Sequence, residues 1–204
     1  MDILEPAVSD RRKISYADFL ARCDERNAAE WVDGEVIYLT VSADHNDLSV
    51  WLSGIMRAYL EHWKCGTLFA DPFQMKTGPG LPGRAPDLCV LLTESLERLR
   101  LNHIDGPADL VIEIVSPESI GRDRGEKFAE YEQGGVREYW IIDPMRKQAD
   151  FYLREDDGYF HPRFSDTAGI YQCAVLGQLW MDTAWLWRRP LPPLMEVLRE
   201  WKIV

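Results

Sequence analysis

Residues 109–119, DLVIEIVSPES, restrict the fold more than any other segment of the chain. Successive side chains of a strand point to opposite faces, so Leu110, Ile112 and Ile114 share one face and Val111, Glu113 and Val115 the other. A strand that is apolar on both faces implies the interior of a sheet with helices packed against it. Glu113 is the exception. An ionised carboxylate in such surroundings costs on the order of several kcal/mol unless a cation or hydrogen-bond donors compensate it. The chain must therefore supply Glu113 with a partner.

The flanking segments set the context. Ser15 ahead of Asp18 reads as a helix N-cap, and Tyr16, Phe19, Leu20 and Cys23 recur on one helical face. In AEWVDGEVIYLTV, Asp33-Gly34 between two apolar runs predicts a tight hairpin. Leu48, Leu52, Ile55, Tyr59 and Trp63 line one side of a long helix that starts near Asp44-His45 and that Gly66 should stop. A strand is expected near residues 67–77, then a loop over GPGLPGR, the strand PDLCVLL, and an irregular stretch to about Gly106. Past the polar loop SIGRDRG, Asp123 and Glu126 predict the capped start of a helix that Gly134-Gly135 ends. VREYWIID reads as a strand closed by Pro144, followed by a hairpin around Asp157-Gly158. One or two strands within residues 171–180 and a short helix in LPPLMEVLREW complete the chain.

This order predicts an α/β or α+β domain, a central mixed sheet flanked by helices. The 204 residues are read as one domain, 1–204. Residues 1–66 would hold an N-terminal helix, hairpin and long helix, 67–154 the core, and 155–204 the C-terminal strands and helix.

Asp87 opens one apolar strand, and Glu113 sits in the middle of the next. If these strands pair, the two carboxylates can face one another. Like charges so placed are tolerated mainly when a divalent cation lies between them. Oxygen ligands alone suit Mg²⁺ or Mn²⁺, which need few protein carboxylates.

Charge bears on partners. With 34 acidic and 23 basic residues the formal charge is -11, which weighs against tight unaided binding to DNA. Basic residues do gather locally, at Arg122, Arg124 and Lys127 and at Arg188-Arg189. No apolar run approaches the roughly 20 residues of a membrane span, and MDILEPAVSDRRKISY lacks the apolar core of a signal peptide. The four cysteines are widely spaced with no CxxC pair, which suits buried thiols in a reducing, cytoplasmic setting.

Pro86-Asp87, with Glu113-Ile114-Val115 further along, resembles the PD-(D/E)xK nuclease superfamily, although Val115 stands where that pattern has its lysine. The run from Gly106 to Pro144, with AEWVDGEVI and Asp44-His45, is similar to the Uma-two family of restriction-endonuclease-like proteins. There the lysine lies on the following helix, in a D-x-x-x-K-x-x-x-Y pattern that Asp123, Lys127 and Tyr131 match. The resemblance implies a restriction-endonuclease-like core and a homodimer. It implies Mg²⁺ or Mn²⁺ on Asp87, Glu113 and the carbonyl of Ile114, with Lys127 as the displaced catalytic lysine. It also implies an acid of the first hairpin, Glu30 or Glu35, near the site. His45 becomes a candidate for contact with DNA or a second subunit. Asp123, Lys127 and Tyr131 are spaced by four, so they share a helix face from which the lysine can reach back over the carboxylate pair.

Each residue also has a plainer explanation. Glu113 can be a buried structural ion pair, Lys127 a solvated helix lysine, Tyr131 helix packing and Asp123 an N-cap. Glu30 and Glu35 can be exposed hairpin residues, and His45 polar surface. Together, Asp87, Glu113 and Lys127 favour a metal-dependent endonuclease acting on DNA. The alternative is a non-catalytic dimeric protein-interaction module that retains the nuclease fold. A hydrolase of small phosphorylated substrates is a weaker third reading, since GPGLPGR lacks the Lys-Ser/Thr ending of a phosphate cradle.

Overall fold

A computed structural model of the protein describes residues 13–22, 29–38, 42–116 and 119–204. The elements in order are α1 (Tyr16–Arg22), β1 (Ala29–Val32), β2 (Glu35–Tyr38), α2 (Ala43–Trp63), β3 (Gly66–Ala70), β4 (Gln74–Lys76), β5 (Gly83–Arg84) and β6 (Leu88–Leu92). There follow β7 (His103–Asp105), β8 (Leu110–Ile114), α3 (Lys127–Gly134), β9 (Glu138–Asp143), β10 (Gln148–Arg154), β11 (Phe160–Asp166), β12 (Ile170–Gln172), β13 (Trp180–Asp182) and α4 (Leu194–Glu200).

A six-stranded mixed sheet, ordered β11-β10-β9-β8-β6-β3, forms the centre. The DLVIEIV segment is its β8, flanked by antiparallel β6 and parallel β9. The alternation read from the sequence decides what each face buries. Leu110, Ile112 and Ile114 join Leu48, Leu52 and Ile55 of α2 in one core, while Val111 and Val115 join Tyr131 of α3 in the other. The expected mixed sheet flanked by helices is therefore the observed architecture. A second sheet, β2-β1-β5-β4-β7, carries the first hairpin. Its turn holds Asp33 and Gly34 at φ 50° and 93°, the left-handed pair a two-residue hairpin requires.

Several local expectations need correction. The stretch 67–77 is two strands in two different sheets, because the chain turns at Asp71-Pro72. Helix α2 ends before Gly66, at Lys64 in the left-handed conformation, and Gly66 instead begins β3. Trp63, placed on the buried stripe, is 44% exposed at the end of that helix. Cys23 lies outside the described residues. Asp123 and Glu126 do not cap a helix: helical structure begins earlier and passes through a π-helical turn, Arg122–Glu126, before α3. Lys127 N–H donates to the carbonyl of Arg122, the wide spacing of such a turn.

The C-terminal segment is tied to the sheet by a buried acid. Glu138, fully buried on the α2 side, accepts from Trp140 Nε1 at 2.6 Å and Tyr171 OH at 2.9 Å, and from Cys173 Sγ and the Val175 N–H. Among the described residues, no helix is long and apolar enough to cross a membrane.

Candidate active site

The pairing of β6 with β8 matches Leu88 to Ile112, so one step further along the register sets Asp87 opposite Glu113. Directly opposed residues share a face, and both line one cavity of about 30 Å³. That volume exceeds the roughly 10–15 Å³ needed for a single water. Asp87 serves first as a brace: its Oδ2 accepts from the Ile114 N–H at 2.6 Å. The same oxygen lies 3.1 Å from His45 Nε2, at the first turn of α2, where Ser42 caps the helix.

Glu113, 2% exposed, finds its partners on the crossover helix. Tyr131 OH donates to Oε1 at 2.7 Å, and Lys127 Nζ lies 3.0 Å from Oε2. Lys127 is itself buried, and it also reaches Glu30 Oε1 at 3.0 Å and Asp123 Oδ1 at 3.3 Å. One ammonium thus meets three carboxylates. The π-helical turn contributes to this placement, for its carbonyl at Asp123 accepts from Tyr139 OH on β9 at 2.9 Å.

The electrostatics follow from burial and crowding. Burial pushes the Glu113 carboxyl well above the usual carboxylate range, against the pull of Lys127, and the negative fields of Asp123, Asp87 and Glu30 push the same way. For Lys127 burial favours the neutral amine, yet Glu113, Glu30 and Asp123 outweigh it and hold the ammonium above its ordinary range. Burial likewise opposes ionisation of Glu30, but Lys127 and Arg84 prevail and its pKa falls. His45 is raised: burial lowers it, while the bond to Asp87 and the fields of Asp87, Asp71 and Asp123 more than offset that.

The structure thus gathers Asp87, Glu113, Lys127, Glu30, Asp123, Tyr131 and His45. Glu30 is fully buried rather than an exposed hairpin residue, and His45 is 8% exposed rather than surface. Tyr131 does more than pack, since it donates to Glu113. Glu35 is not brought in; it faces Val32 at the turn end of the hairpin. The backbone of Ile114 is present at the cavity wall.

Three participants escaped sequence reasoning. Arg84, at the end of GPGLPGR, is 1% exposed and bridges Glu30 at 3.0 Å to Glu130, which it grips with two bonds of 2.7 and 2.8 Å. Its only signal was a cation closing an otherwise uncharged loop. Asp71 follows β3 and joins the neighbouring strand through its N–H to the Asp87 carbonyl. Burial, with Asp87 and Glu30 nearby, pushes its carboxyl up to about 6, and its Oδ1 is buried without a hydrogen-bond partner. Arg122 lines the cavity with a buried Nε that lacks one too.

Among the described residues, no three His, Cys, Asp or Glu side chains are arranged to hold a metal ion by themselves. Mg²⁺ does not require that, since it keeps several waters and binds through one or two carboxylates. The cavity lining holds Asp87, Glu113 and Asp123 against Lys127, Arg122 and the His45 imidazole, and Glu30 and Asp71 add further negative field. A proton on Glu113 or Asp71, the Arg84 guanidinium beside Glu30, or a bound cation each offsets part of this excess. The donor set fits a small hard ion.

A crystal structure described as "a putative nuclease belonging to DUF820 from Anabaena variabilis ATCC 29413" superposes on this chain with a TM-score of 0.69. It is 17% identical, and the match covers 85% of this chain and 97% of that one, a likeness of fold. Comparison with curated proteins returns no match. The family model described as "Uma2: Putative restriction endonuclease" matches residues 16–184, a span that contains every side chain of the site. The chain therefore belongs to the Uma2 family, and the acid-lysine cluster between β6, β8 and α3 lies inside the family's domain.

Proposed function

We propose that this chain is a metal-dependent endonuclease that hydrolyses phosphodiester bonds of DNA. The observation that carries the reading is the Lys127 ammonium 3.0 Å from Glu113 Oε2, at a cavity that Asp87 also lines. Asp87, Glu113 and the Ile114 carbonyl would hold Mg²⁺ or Mn²⁺. When bound, the ion supplies Lewis acidity and a water of lowered pKa.

The remaining work falls to the chain itself. Lys127, held charged by its carboxylates, offers donors to an attacking hydroxide or to a phosphoryl oxygen as negative charge develops. Arg122, with its unpartnered Nε at the cavity wall, suits a second phosphate oxygen. Tyr131 fixes the Glu113 rotamer, and the Ile114 N–H fixes that of Asp87. His45 holds the other side of Asp87.

Nicking of supercoiled plasmid with Mn²⁺ tests this. Wild type should nick, while Asp87→Ala, Glu113→Gln and Lys127→Ala should each lose at least about 100-fold in rate. Equal activity in all four proteins would overturn the assignment.

One observation favours a non-catalytic module: both Glu113 oxygens and Asp87 Oδ2 already have partners within the protein. Calorimetry with Mn²⁺ separates the two, because a closed site would take up no ion in a manner dependent on Asp87 and Glu113.

A further inference from the structure

A much larger cavity, of about 550 Å³, opens beside the small one, and His45 and Ser116 line both. Its volume is in the range of sites that hold small organic ligands. The walls come from four separated parts of the chain: the start of α2, the residues just after β8, the turn after β9, and the segment that follows β13. What they bring together is one aromatic plate, Trp187, and two exposed cations, Lys147 and Arg189.

The charge runs against that of the molecule. In a chain of net charge -11, the lining holds Lys147 and Arg189 against the single carboxylate Asp44. Neither cation has an ion-pair partner among the described residues, whereas the adjacent Arg188 is paired with Glu196 at 2.9 Å. Arg189 is held in place by neutral groups, its guanidinium donating to the Leu186 and Arg188 carbonyls at 3.1 and 2.8 Å. Trp187 is oriented as well, since its Nε1 donates to the Thr167 carbonyl. Met145, 69% exposed, adds a soft apolar edge.

We infer that this groove binds an unpaired polynucleotide strand, with a base stacked on Trp187 and backbone phosphates on Lys147 and Arg189. Stacking on a side chain requires a base freed from its pair, and cations spaced along a groove track the backbone. Continuity through His45 and Ser116 leads such a strand toward Asp87 and Glu113. The inference rests on the nuclease reading for its direction, but the binding it describes does not need cleavage.

Fluorescence anisotropy in EDTA, with a labelled single strand of about 12 nucleotides and its duplex, is the test. The single strand should bind about tenfold more tightly than the duplex. Trp187→Ala should weaken single-strand binding about tenfold, and Trp187→Phe, which keeps a stacking face, by no more than about threefold. Lys147→Ala and Arg189→Ala should each lower the slope of log affinity against log salt by about 0.7. Both cations are exposed, so these variants should melt as wild type does.

Unchanged binding in Trp187→Ala and in both charge variants would overturn the groove assignment. A preference for duplex would overturn the unpaired strand. Wild-type nicking together with unchanged binding in the groove variants sinks the groove and spares the nuclease. Groove-dependent binding by a protein that never nicks does the reverse.

Discussion

Tyr131 donates its hydroxyl hydrogen to Glu113 Oε1 at 2.7 Å, from the same helix face whose Lys127 takes the other oxygen at 3.0 Å. One helix therefore clamps a carboxylate on the neighbouring strand through both oxygens. The acid that interrupts an apolar strand has its rotamer set before any ligand arrives.

The clamp has a measurable worth. Tyr131→Phe keeps the ring and removes the donor, and a buried hydrogen bond contributes about 1–3 kcal/mol, the upper end when its acceptor is charged. The variant should unfold at lower urea by that amount, with an unchanged dependence on denaturant. A loss within about 0.5 kcal/mol of zero would mean that the bond is not maintained in solution.

Lys127→Met should cost about 3–5 kcal/mol near pH 7, because it strands Glu113, Glu30 and Asp123 without their shared cation. The pKa of Lys127 is raised on folding, so its contribution is fully present below its unfolded pKa of about 10.5 and is lost only above that. In the variant the penalty should shrink as pH falls and the stranded acids protonate. Urea melts from pH 5 to 9 would show the trend; a penalty independent of pH would contradict it.

Asp71 offers the opposite sign. Its folded pKa of about 6 lies above the ordinary 3.8, so ionisation opposes folding as pH rises through that interval. The displacement corresponds to about 3 kcal/mol at full burial, and to about 1–2 kcal/mol after discounting for its partial exposure. Asp71→Asn should stabilise the protein in EDTA by that amount at pH 7–8. The gain should vanish below about pH 4, and a gain that persists there would point to another cause.

Arg84→Lys should behave as a severe change despite keeping the charge. A lysine cannot reproduce the two parallel bonds to Glu130 while also reaching Glu30. A loss of about 2–4 kcal/mol in urea melts is expected, together with slower plasmid nicking through the freed Glu30. Stability equal to wild type would show that the fork geometry is dispensable.

Much of this was legible because it is local or periodic. Two-sided burial of β8 follows from alternation alone, and the shared face of Asp123, Lys127 and Tyr131 from spacing by four. Asp33-Gly34 announces its turn because few residue pairs accept left-handed conformations in succession. What stayed hidden depends on contacts distant in the chain. Arg84 looks like an ordinary loop residue until the second sheet delivers it to Glu30, which Lys127 also meets. Asp123 resembles a cap because capping residues and buried ion-pair acids are the same types, and only the π-helical turn distinguishes them. Asp71 was masked because residues 67–77 read as one strand, which hides the turn that sets it beside Asp87 at the edge of β6.

Glu138 carries a mechanical consequence for the groove. Among the described residues, strands β12 and β13 pair only with each other, so the segment leading to Trp187 and Arg189 gains no ladder bonds there from the central sheet. The carboxylate of Glu138, gripping Tyr171, Cys173 and Val175, is its polar anchor on that sheet. The outer wall of the groove is fixed at Glu138, tied beside the end of β11 where Trp187 Nε1 bonds the Thr167 carbonyl, and propped where Trp51 Nε1 bonds the Pro192 carbonyl. The proposed strand would thus meet a wall whose buried carboxylate anchor lies on the face of the sheet opposite Glu113.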